Sequence, residues 1–191
     1  MPMFKERCLG AWCLVDGRRY DSKSQATRLS ETTHSSLKTT DDQFMENGPL
    51  DPLVEKLRTV AAKAAANAWC PYSRFSVGAA IETEDGSIFA GCNVENASSG
   101  LSVCAERNAI FQAVANGHRS IRRLVVYTPT EQPTTPCGAC RQVLSEFGAN
   151  AEVVCVCDGP DSIRSTLTAL LPMGFGAGHL VPPSDQQTSG H

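Results

Sequence analysis

The sequence lacks the features that mark a membrane protein or a nucleic-acid-binding protein. No stretch approaches the roughly 20 apolar residues that a membrane-spanning helix requires. Basic residues are not in excess, because 17 Lys and Arg stand against 20 Asp and Glu, for a formal net charge of −3. A protein that holds nucleic acid by neutralising phosphates is usually basic. The composition therefore favours a small-molecule ligand over a membrane or a nucleic acid.

The sequence also lacks the apolar run of a secretory signal. Charged residues at Lys5, Glu6 and Arg7 are not followed by such a run. The nine cysteines are an odd number, which argues against a framework of paired disulfides and points to metal or thiol chemistry. We therefore expect a cytoplasmic protein.

Three regions of the chain differ in composition. Between residues 21 and 43, ten of 23 residues are Ser or Thr, so this part buries little apolar surface to offset its ordering entropy. We expect residues 1–48 to be a disordered N-terminal extension. Residues 49–182 have regular apolar patterning and predict a single domain, and the polar residues 183–191 predict a flexible tail.

Apolar spacing within 49–182 predicts alternating helices and strands. Asp51 followed by Pro52 is typical of a helix N-terminus. Helices are predicted near 52–68, 102–117, 138–147 and 163–170, and strands near 75–81, 87–94, 124–128 and 151–156. This order predicts an α/β sandwich in which one sheet is covered by helices.

Three cysteines are placed where they can bind one metal ion. Cys137 and Cys140 form a CxxC at the start of one predicted helix, and Cys104 lies at the start of another. A helix N-terminus presents unpaired N–H groups and a positive dipole, which stabilise a thiolate. Three protein ligands around zinc leave the fourth tetrahedral position to water, as in catalytic sites.

Glu106 favours a catalytic interpretation of these cysteines. It stands two positions after Cys104, where a carboxylate can exchange protons with a metal-bound water without being a ligand. The CxE and PCxxC elements together match the zinc deaminase pattern, with Cys in place of the first His.

A CxxC alone is less specific. It also occurs in redox-active pairs and in structural zinc sites. A closed four-sulfur site would recruit Cys155 or Cys157 from the following strand, although the valines of that strand favour a core position for both. A structural zinc module or an inactive scaffold is therefore an alternative from outside the enzymes.

Four motifs, in one order, closely resemble the small homotetrameric cytidine deaminases. They are SxFxVGAA at 73–80, GCNVEN at 91–96, CAER at 104–107 and PCGACRQ at 136–142. The resemblance covers most of residues 49–182 and leaves the first 48 outside. It implies a three-layer α/β/α sandwich around one mixed sheet. It also implies zinc-dependent conversion of cytidine and deoxycytidine to uridine and deoxyuridine plus ammonia, a step of pyrimidine salvage.

The resemblance assigns the metal site and the proton transfers. Cys104, Cys137 and Cys140 would bind zinc as thiolates. Glu106 would take a proton from the attacking water, deliver it to N3 of the cytosine ring and later pass one to ammonia. Three thiolates and Zn²⁺ sum to −1, a charge that opposes ionisation of the water. Helix N-termini and Arg107, which in the family hydrogen-bonds ligand sulfurs, would offset part of it.

The resemblance also assigns substrate contacts. Asn93 and Glu95 would bind the ribose hydroxyls, so the free base would be rejected. Phe75 would pack on the pyrimidine, and the backbone of Ala105 would meet its edge. Phe175 would enter the active site of a neighbouring subunit, so the family implies a homotetramer with shared active sites.

Two observations bear on substrate choice. The family usually has Tyr at the position of Ser99, which leaves the ranking of substrates open. A deaminase of the same fold that acts on blasticidin S is an alternative, although Asn93 and Glu95 favour a ribose. A nucleic-acid cytosine editor is disfavoured, because 49–182 has ten basic and twelve acidic residues and so offers no evident phosphate track.

Overall fold

The fold is seen in a computed structural model of the chain, which describes residues 49–180 in full and, as backbone, residues 12–15, 18–21 and 45–47. The strands are β1 Trp12–Val15, β2 Arg18–Asp21, β3 Met45–Asn47, β4 Gly78–Thr83, β5 Ile88–Cys92, β6 Ile121–Tyr127, β7 Glu152–Val156 and β8 Asp161–Thr166. The helices are α1 Pro52–Ala65, α2 Ala105–Ala115, α3 Gly138–Phe147 and α4 Leu167–Leu170, with 3₁₀ turns at Ser99–Leu101 and Ala177–Leu180.

The strands form two separate sheets. β1 and β2 make an antiparallel pair in a unit that spans residues 1–39. The second unit, residues 40–191, holds a six-stranded sheet of order β3-β8-β7-β6-β4-β5. In this sheet β6 and β7 run parallel and the other neighbours antiparallel. The sheet is therefore mixed, as predicted.

Helices cover the sheet on both faces, which confirms the three-layer α/β/α sandwich. Successive side chains of the central strands point to opposite faces, so Val125 and Val154 pack towards α1 while Leu124 and Val153 pack towards α2 and α3. All four valine and leucine side chains are fully buried. A strand covered on both faces is apolar throughout, which explains the apolar runs of β6 and β7.

Two glycines allow helices to approach the sheet closely. A Cβ on Gly78 would lie 1.9 Å from the carbonyl oxygen of Ala61 in α1. A Cβ on Gly91 would lie 2.5 Å from the backbone nitrogen of Ala109 in α2. Because real Cβ atoms are never this close to backbone atoms, only glycine permits these helix positions. The second contact fixes the helix that begins beside Cys104.

The helix predicted over 163–170 is wrong for its first half. Residues 161–166 form β8, which pairs with β7 on one side and β3 on the other. The segment carries few apolar side chains, so its periodicity was weak, and pairing within the sheet determines its conformation. Helix α4 begins only after Thr166, whose Oγ1 accepts a hydrogen bond from the backbone of Ala169 at 3.3 Å.

The predicted N-terminal extension contains short strands. β1, β2 and β3 all lie within residues 1–48, and β3 pairs antiparallel with β8, with Met45 opposite Ile163. The rest of the extension, like the predicted tail at 183–191, lies outside the described residues. The limits of the domain therefore stay a prediction. The extension does contribute one strand, β3, to the six-stranded sheet.

A membrane-crossing helix is also absent from the described part of the chain, where no helix is both long and apolar enough.

The Asp51 side chain caps α1 as the sequence predicted. One carboxylate oxygen accepts hydrogen bonds from the backbone N–H groups of Leu53 and Val54, at 3.2 and 3.0 Å. The other lies 3.2 Å from a guanidinium nitrogen of Arg164 on β8. The Val54 bond is the main reason that the pKa of Asp51 lies below its ordinary 3.8. The cap therefore joins helix initiation to the sheet.

We predict that Asp51→Ala lowers the free energy of unfolding by about 1 kcal/mol at neutral pH, the usual effect of losing an N-cap. Asp51→Asn, which keeps a capping oxygen and loses the charge, should cost less. Because the folded-state pKa is lowered, the carboxylate's contribution is full above pH 4 and is lost as the pH falls through that lowered pKa. Chemical denaturation at pH 7 and pH 3 measures both effects. Equal stability of the Ala and Asn variants at pH 7 would contradict the capping role.

Candidate metal centre and active site

Three sulfur atoms meet where α2 and α3 begin. Cys104 is the N-cap residue of α2, Cys137 is the N-cap residue of α3, and Cys140 lies in the first turn of α3. The Sγ atoms of Cys104 and Cys137 are 3.9 Å apart, and those of Cys137 and Cys140 are 3.5 Å apart. All three lie within 4.8 Å of one another. The structure thus brings together the three predicted ligands.

This geometry fits a zinc ion. Zinc–sulfur bonds of about 2.3 Å in tetrahedral geometry place two sulfurs about 3.8 Å apart, close to the observed separations. Cys140 is buried whereas Cys137 is exposed, so the group is open on one side. Thiolates are also ligands that zinc favours. The residues present therefore suit zinc with room for one further ligand.

A fourth sulfur does not complete the group among the described residues. Cys155 is buried in the core beneath α2 and α3. The thiol of Cys157 is engaged elsewhere, since it donates to the carbonyls of Glu131 and Asp161 at 3.5 and 3.4 Å. The closed four-sulfur arrangement that a structural zinc module would use is therefore not formed by these cysteines.

The pKa values of Cys104 and Cys140 shift in opposite directions. Hydrogen bonding from Cys140 is the largest cause that lowers the pKa of Cys104 to about 5, and Arg107 and Cys137 lower it further. The same contact with Cys104, together with burial, raises the pKa of Cys140. Arg107 Nη2 lies 3.6 Å from the Cys104 sulfur and donates to the carbonyl of Ser102 at 3.3 Å. Arg107 thus lies against a ligand sulfur, where the resemblance expected it.

Glu106 is buried beside this group. Its side chain lies in the first turn of α2, and only 4% of the residue is exposed. Burial is the main cause that raises the pKa of Glu106, and the negative charge of Cys104 raises it further. A carboxyl group whose pKa is raised holds a proton more readily, which suits a residue that accepts a proton and returns it.

Asn93 and Glu95 hold the loop at residues 70–77, a role that our sequence reasoning missed. Asn93 accepts from the backbone N–H of Val77 and donates to the carbonyl of Phe75, both at 2.8 Å. Glu95 Oε2 accepts from the backbone N–H groups of Tyr72 and Ser73, at 3.0 and 3.2 Å. No sequence signal marks these bonds, because they depend on how two distant segments fold together. Glu95 Oε1 takes part in neither bond.

Phe75 lies in that loop and not in a strand. Strand β4 begins only at Gly78, so the predicted strand started three residues too early. Arg74 has a left-handed backbone with φ 57°, and its N–H donates to the carbonyl of Cys70 at 2.9 Å. The hydroxyl of Ser73 accepts from the N–H of Phe75 at 3.0 Å. This turn leaves Phe75 39% exposed, which suits a contact residue better than a core residue.

The remaining predicted site residues have diverse surroundings. Ala105 is fully buried as the first residue of α2. Phe175 is 57% exposed, and its ring stacks on His179 with 5.2 Å between ring centres. Ser99 is exposed at the start of a 3₁₀ turn. The substrate roles of these residues stay predictions.

We predict that Cys140→Ser abolishes tight zinc binding, because it removes the buried sulfur of the group. Cys157→Ser is the matched control, since a hydroxyl there can still donate to the two carbonyls that the thiol contacts. Elemental analysis after dialysis measures zinc per protein chain. One zinc ion retained by Cys140→Ser, or lost from Cys157→Ser, would contradict this assignment.

Comparisons with known proteins agree with this geometry. Residues 53–157 match the family model of the cytidine and deoxycytidylate deaminase zinc-binding region. The chain is 45% identical over 134 residues to a cytidine deaminase of Sporosarcina psychrophila, which covers 70% of this chain and 98% of that relative. It is 43% identical over 134 residues to a probable cytidine deaminase of Dictyostelium discoideum, covering 70% and 90%.

A solved structure shows the same fold. The crystal structure of cytidine deaminase from Burkholderia pseudomallei superposes with a TM-score of 0.61 at 46% identity, covering 63% of this chain and 98% of that one. The matched family region includes Cys104, Glu106, Cys137 and Cys140. The chain therefore belongs to the zinc-binding cytidine deaminase family.

Proposed function

We propose that this protein catalyses the zinc-dependent hydrolysis of cytidine and deoxycytidine to uridine and deoxyuridine, with release of ammonia. The observation that carries the proposal is the open three-sulfur group with the buried Glu106 beside it. The names of the relatives, which are cytidine deaminases, support the substrate class. This reaction would serve pyrimidine salvage.

The division of labour follows from the residues. When bound, zinc makes water a competent nucleophile near neutral pH. Glu106 takes a proton from the attacking water, delivers it to N3 of the cytosine ring and passes a proton to the leaving amine. Its raised pKa suits both uptake and return. Attack at C4 forms the new C–O bond, and loss of ammonia then breaks the C–N bond.

Charge around the sulfurs is balanced by the protein. Three thiolates holding Zn²⁺ would carry a net charge of −1, which would disfavour ionisation of a bound water. Arg107 lies 3.6 Å from the sulfur of Cys104, and charge-assisted contacts of this kind withdraw negative charge from the ligand. The N-termini of α2 and α3 add their positive dipole ends at Cys104 and Cys137.

Substrate binding uses groups that the loop at 70–77 already orients. In this proposal Asn93 and Glu95 bind the ribose hydroxyls through hydrogen-bonding positions that their contacts with the loop do not use, such as Oε1 of Glu95. The side chain of Phe75 packs on the pyrimidine, and the backbone of Ala105 meets its edge. A site with these polar groups selects a nucleoside over the free base, because the groups would otherwise be left unpaired.

The proposal includes a homotetramer in which Phe175 enters a neighbouring active site. Several large apolar side chains that are more than half exposed support burial between copies. They are Trp69, Tyr72, Leu101, Met173, Phe175 and Leu180. Active sites shared between subunits would also explain why a domain of this size keeps these apolar side chains on its surface.

The blasticidin S alternative is not favoured. The curated relatives are named cytidine deaminases, and the identity to three of them is 42–45%.

We also propose a cytoplasmic location. The seven cysteines of the fully described residues are all free, which agrees with a reducing compartment.

We predict that the zinc-loaded protein lowers the ultraviolet absorbance of cytidine solutions and releases ammonia, and that Glu106→Gln abolishes this turnover while retaining zinc. The amide cannot carry the proton, whereas the three sulfurs are unchanged. The fall in cytidine absorbance is followed over time for the wild type and for Glu106→Gln, and the zinc content of both proteins is determined. The absence of ammonia release from zinc-loaded wild type would refute the function, and substantial activity of Glu106→Gln would refute the proton transfer.

We predict that Glu95→Gln raises KM for cytidine about tenfold, by loss of one charged hydrogen bond to the ribose, with a smaller effect on kcat. The amide oxygen can still accept from Tyr72 and Ser73, so the loop should keep its place. Steady-state kinetics with cytidine and with 2′,3′-dideoxycytidine make the comparison, since the analogue lacks the hydroxyls. An equal loss for both substrates would point to a displaced loop and contradict ribose recognition.

A further inference from the structure

The Arg141 side chain connects the loop before α3, residues 128–137 (the Cys137 loop), with the end of α4. Its Nε donates to the carbonyl of Pro136 at 2.8 Å, and Nη2 donates to the hydroxyl of Thr135 at 3.2 Å. Its Nη1 donates to the carbonyl of Leu170 at 2.9 Å. Three separate nitrogens of one guanidinium therefore bind three partners from two segments.

The chemistry of the loop explains why a side chain must hold it. Pro133 and Pro136 have no backbone N–H, so this stretch has few donors with which to fix itself. Guanidinium is planar and carries five donors in a fixed fork, so it binds several acceptors at once. Cys137 follows Pro136 directly. A displacement of the Pro136 carbonyl would therefore also displace the sulfur of Cys137.

Gln142, the next residue of α3, contacts the segment that begins at the end of α4. Its Nε2 donates to the carbonyl of Phe175 at 2.7 Å. Arg141 binds this segment, residues 170–175, at its first residue, and Gln142 binds it at its last. Consecutive residues of one helix thus hold both ends of the segment that carries the predicted aromatic contact.

We propose that Arg141 is the positioning residue of the Cys137 loop and that, together with Gln142, it links this loop to the placement of Phe175. The inference rests on the proposed function for its purpose, because it joins the metal site to the residue expected to complete a neighbouring active site. Arg141 touches neither metal nor substrate in this proposal. It acts through the Pro136 carbonyl and the Leu170 carbonyl.

The effect of Arg141 on metal binding is tested with cobalt(II), whose visible spectrum reports the number and geometry of the sulfur ligands. Arg141→Ala and Arg141→Lys are compared with Arg58→Ala, a matched control on α1, because Arg58 also binds a carbonyl, that of Cys157 at 3.2 Å. We expect Arg141→Ala to weaken metal binding, measured by chelator competition, roughly 10- to 100-fold, as for other residues that orient ligands. Its cobalt spectrum should change, and that of Arg58→Ala should match wild type.

Arg141→Lys keeps the charge and most of the stem but reaches at most one acceptor, so it should fall between wild type and Arg141→Ala. It carries the test if the alanine variant does not fold. Wild-type metal affinity and a wild-type spectrum in both Arg141 variants would overturn the proposal. A wild-type protein that binds cobalt but deaminates no cytidine would refute the proposed function and leave this comparison intact.

Gln142→Ala separates the two sides of the link. It should retain wild-type metal affinity, since it does not touch the Cys137 loop, and it should increase chymotryptic cleavage after Phe175 several-fold. Arg141→Ala should show both effects. Cleavage at the wild-type rate in both variants would overturn the link to Phe175.

Discussion

The contact between helix α2 and Gly91 of strand β5 is the constraint on which the site depends. The backbone of Ala105 and Ala109 lies where any Cβ at residue 91 would be, at 2.6 and 2.5 Å. Asn108 reinforces the contact by donating to the carbonyl of Cys92 at 2.9 Å. The start of α2, with its cysteine and its glutamate, therefore stands at a fixed height above the sheet.

The rest of the metal group follows from sheet order. Helix α3 connects β6 to β7, which are parallel neighbours, so it must pack on the sheet between them and begin near the end at which β6 finishes. Helix α2 packs on the same face. Two helix N-termini thus converge, and the residues at their N-cap positions are Cys104 and Cys137. The same positive ends that attract anions elsewhere stabilise thiolates here.

The sequence was most informative where one residue type can do the chemistry. Three cysteines and Glu106 could be predicted from spacing, and the structure brings the sulfurs together beside that carboxylate. Asp51 and Pro52 likewise predicted the start of α1. The sandwich followed from element order, because apolar runs such as those of β6 and β7 admit few alternatives.

What could not be predicted depends on partners that are distant in sequence. β8 has a weak pattern of its own and becomes a strand because β7 and β3 lie beside it. The loop contacts of Asn93 and Glu95 arise only after β5 and residues 70–77 meet. The three bonds of Arg141 join segments about 30 residues apart, and its place in a helix after a CxxC suggests only a solvated charge.

These contacts give the site a common design. Asn93 and Glu95, which in the proposed function bind the ribose, also hold the loop that contains Phe75, so the same side chains would serve substrate recognition and loop order. A ligand that binds them meets a preorganised surface and loses little further entropy. On the metal side, the guanidinium of Arg141 does for the Cys137 loop what those two side chains do for residues 70–77. Each of these two loops is thereby fixed by polar side chains from a neighbouring element: Asn93 and Glu95 hold residues 70–77, and Arg141 holds the Cys137 loop.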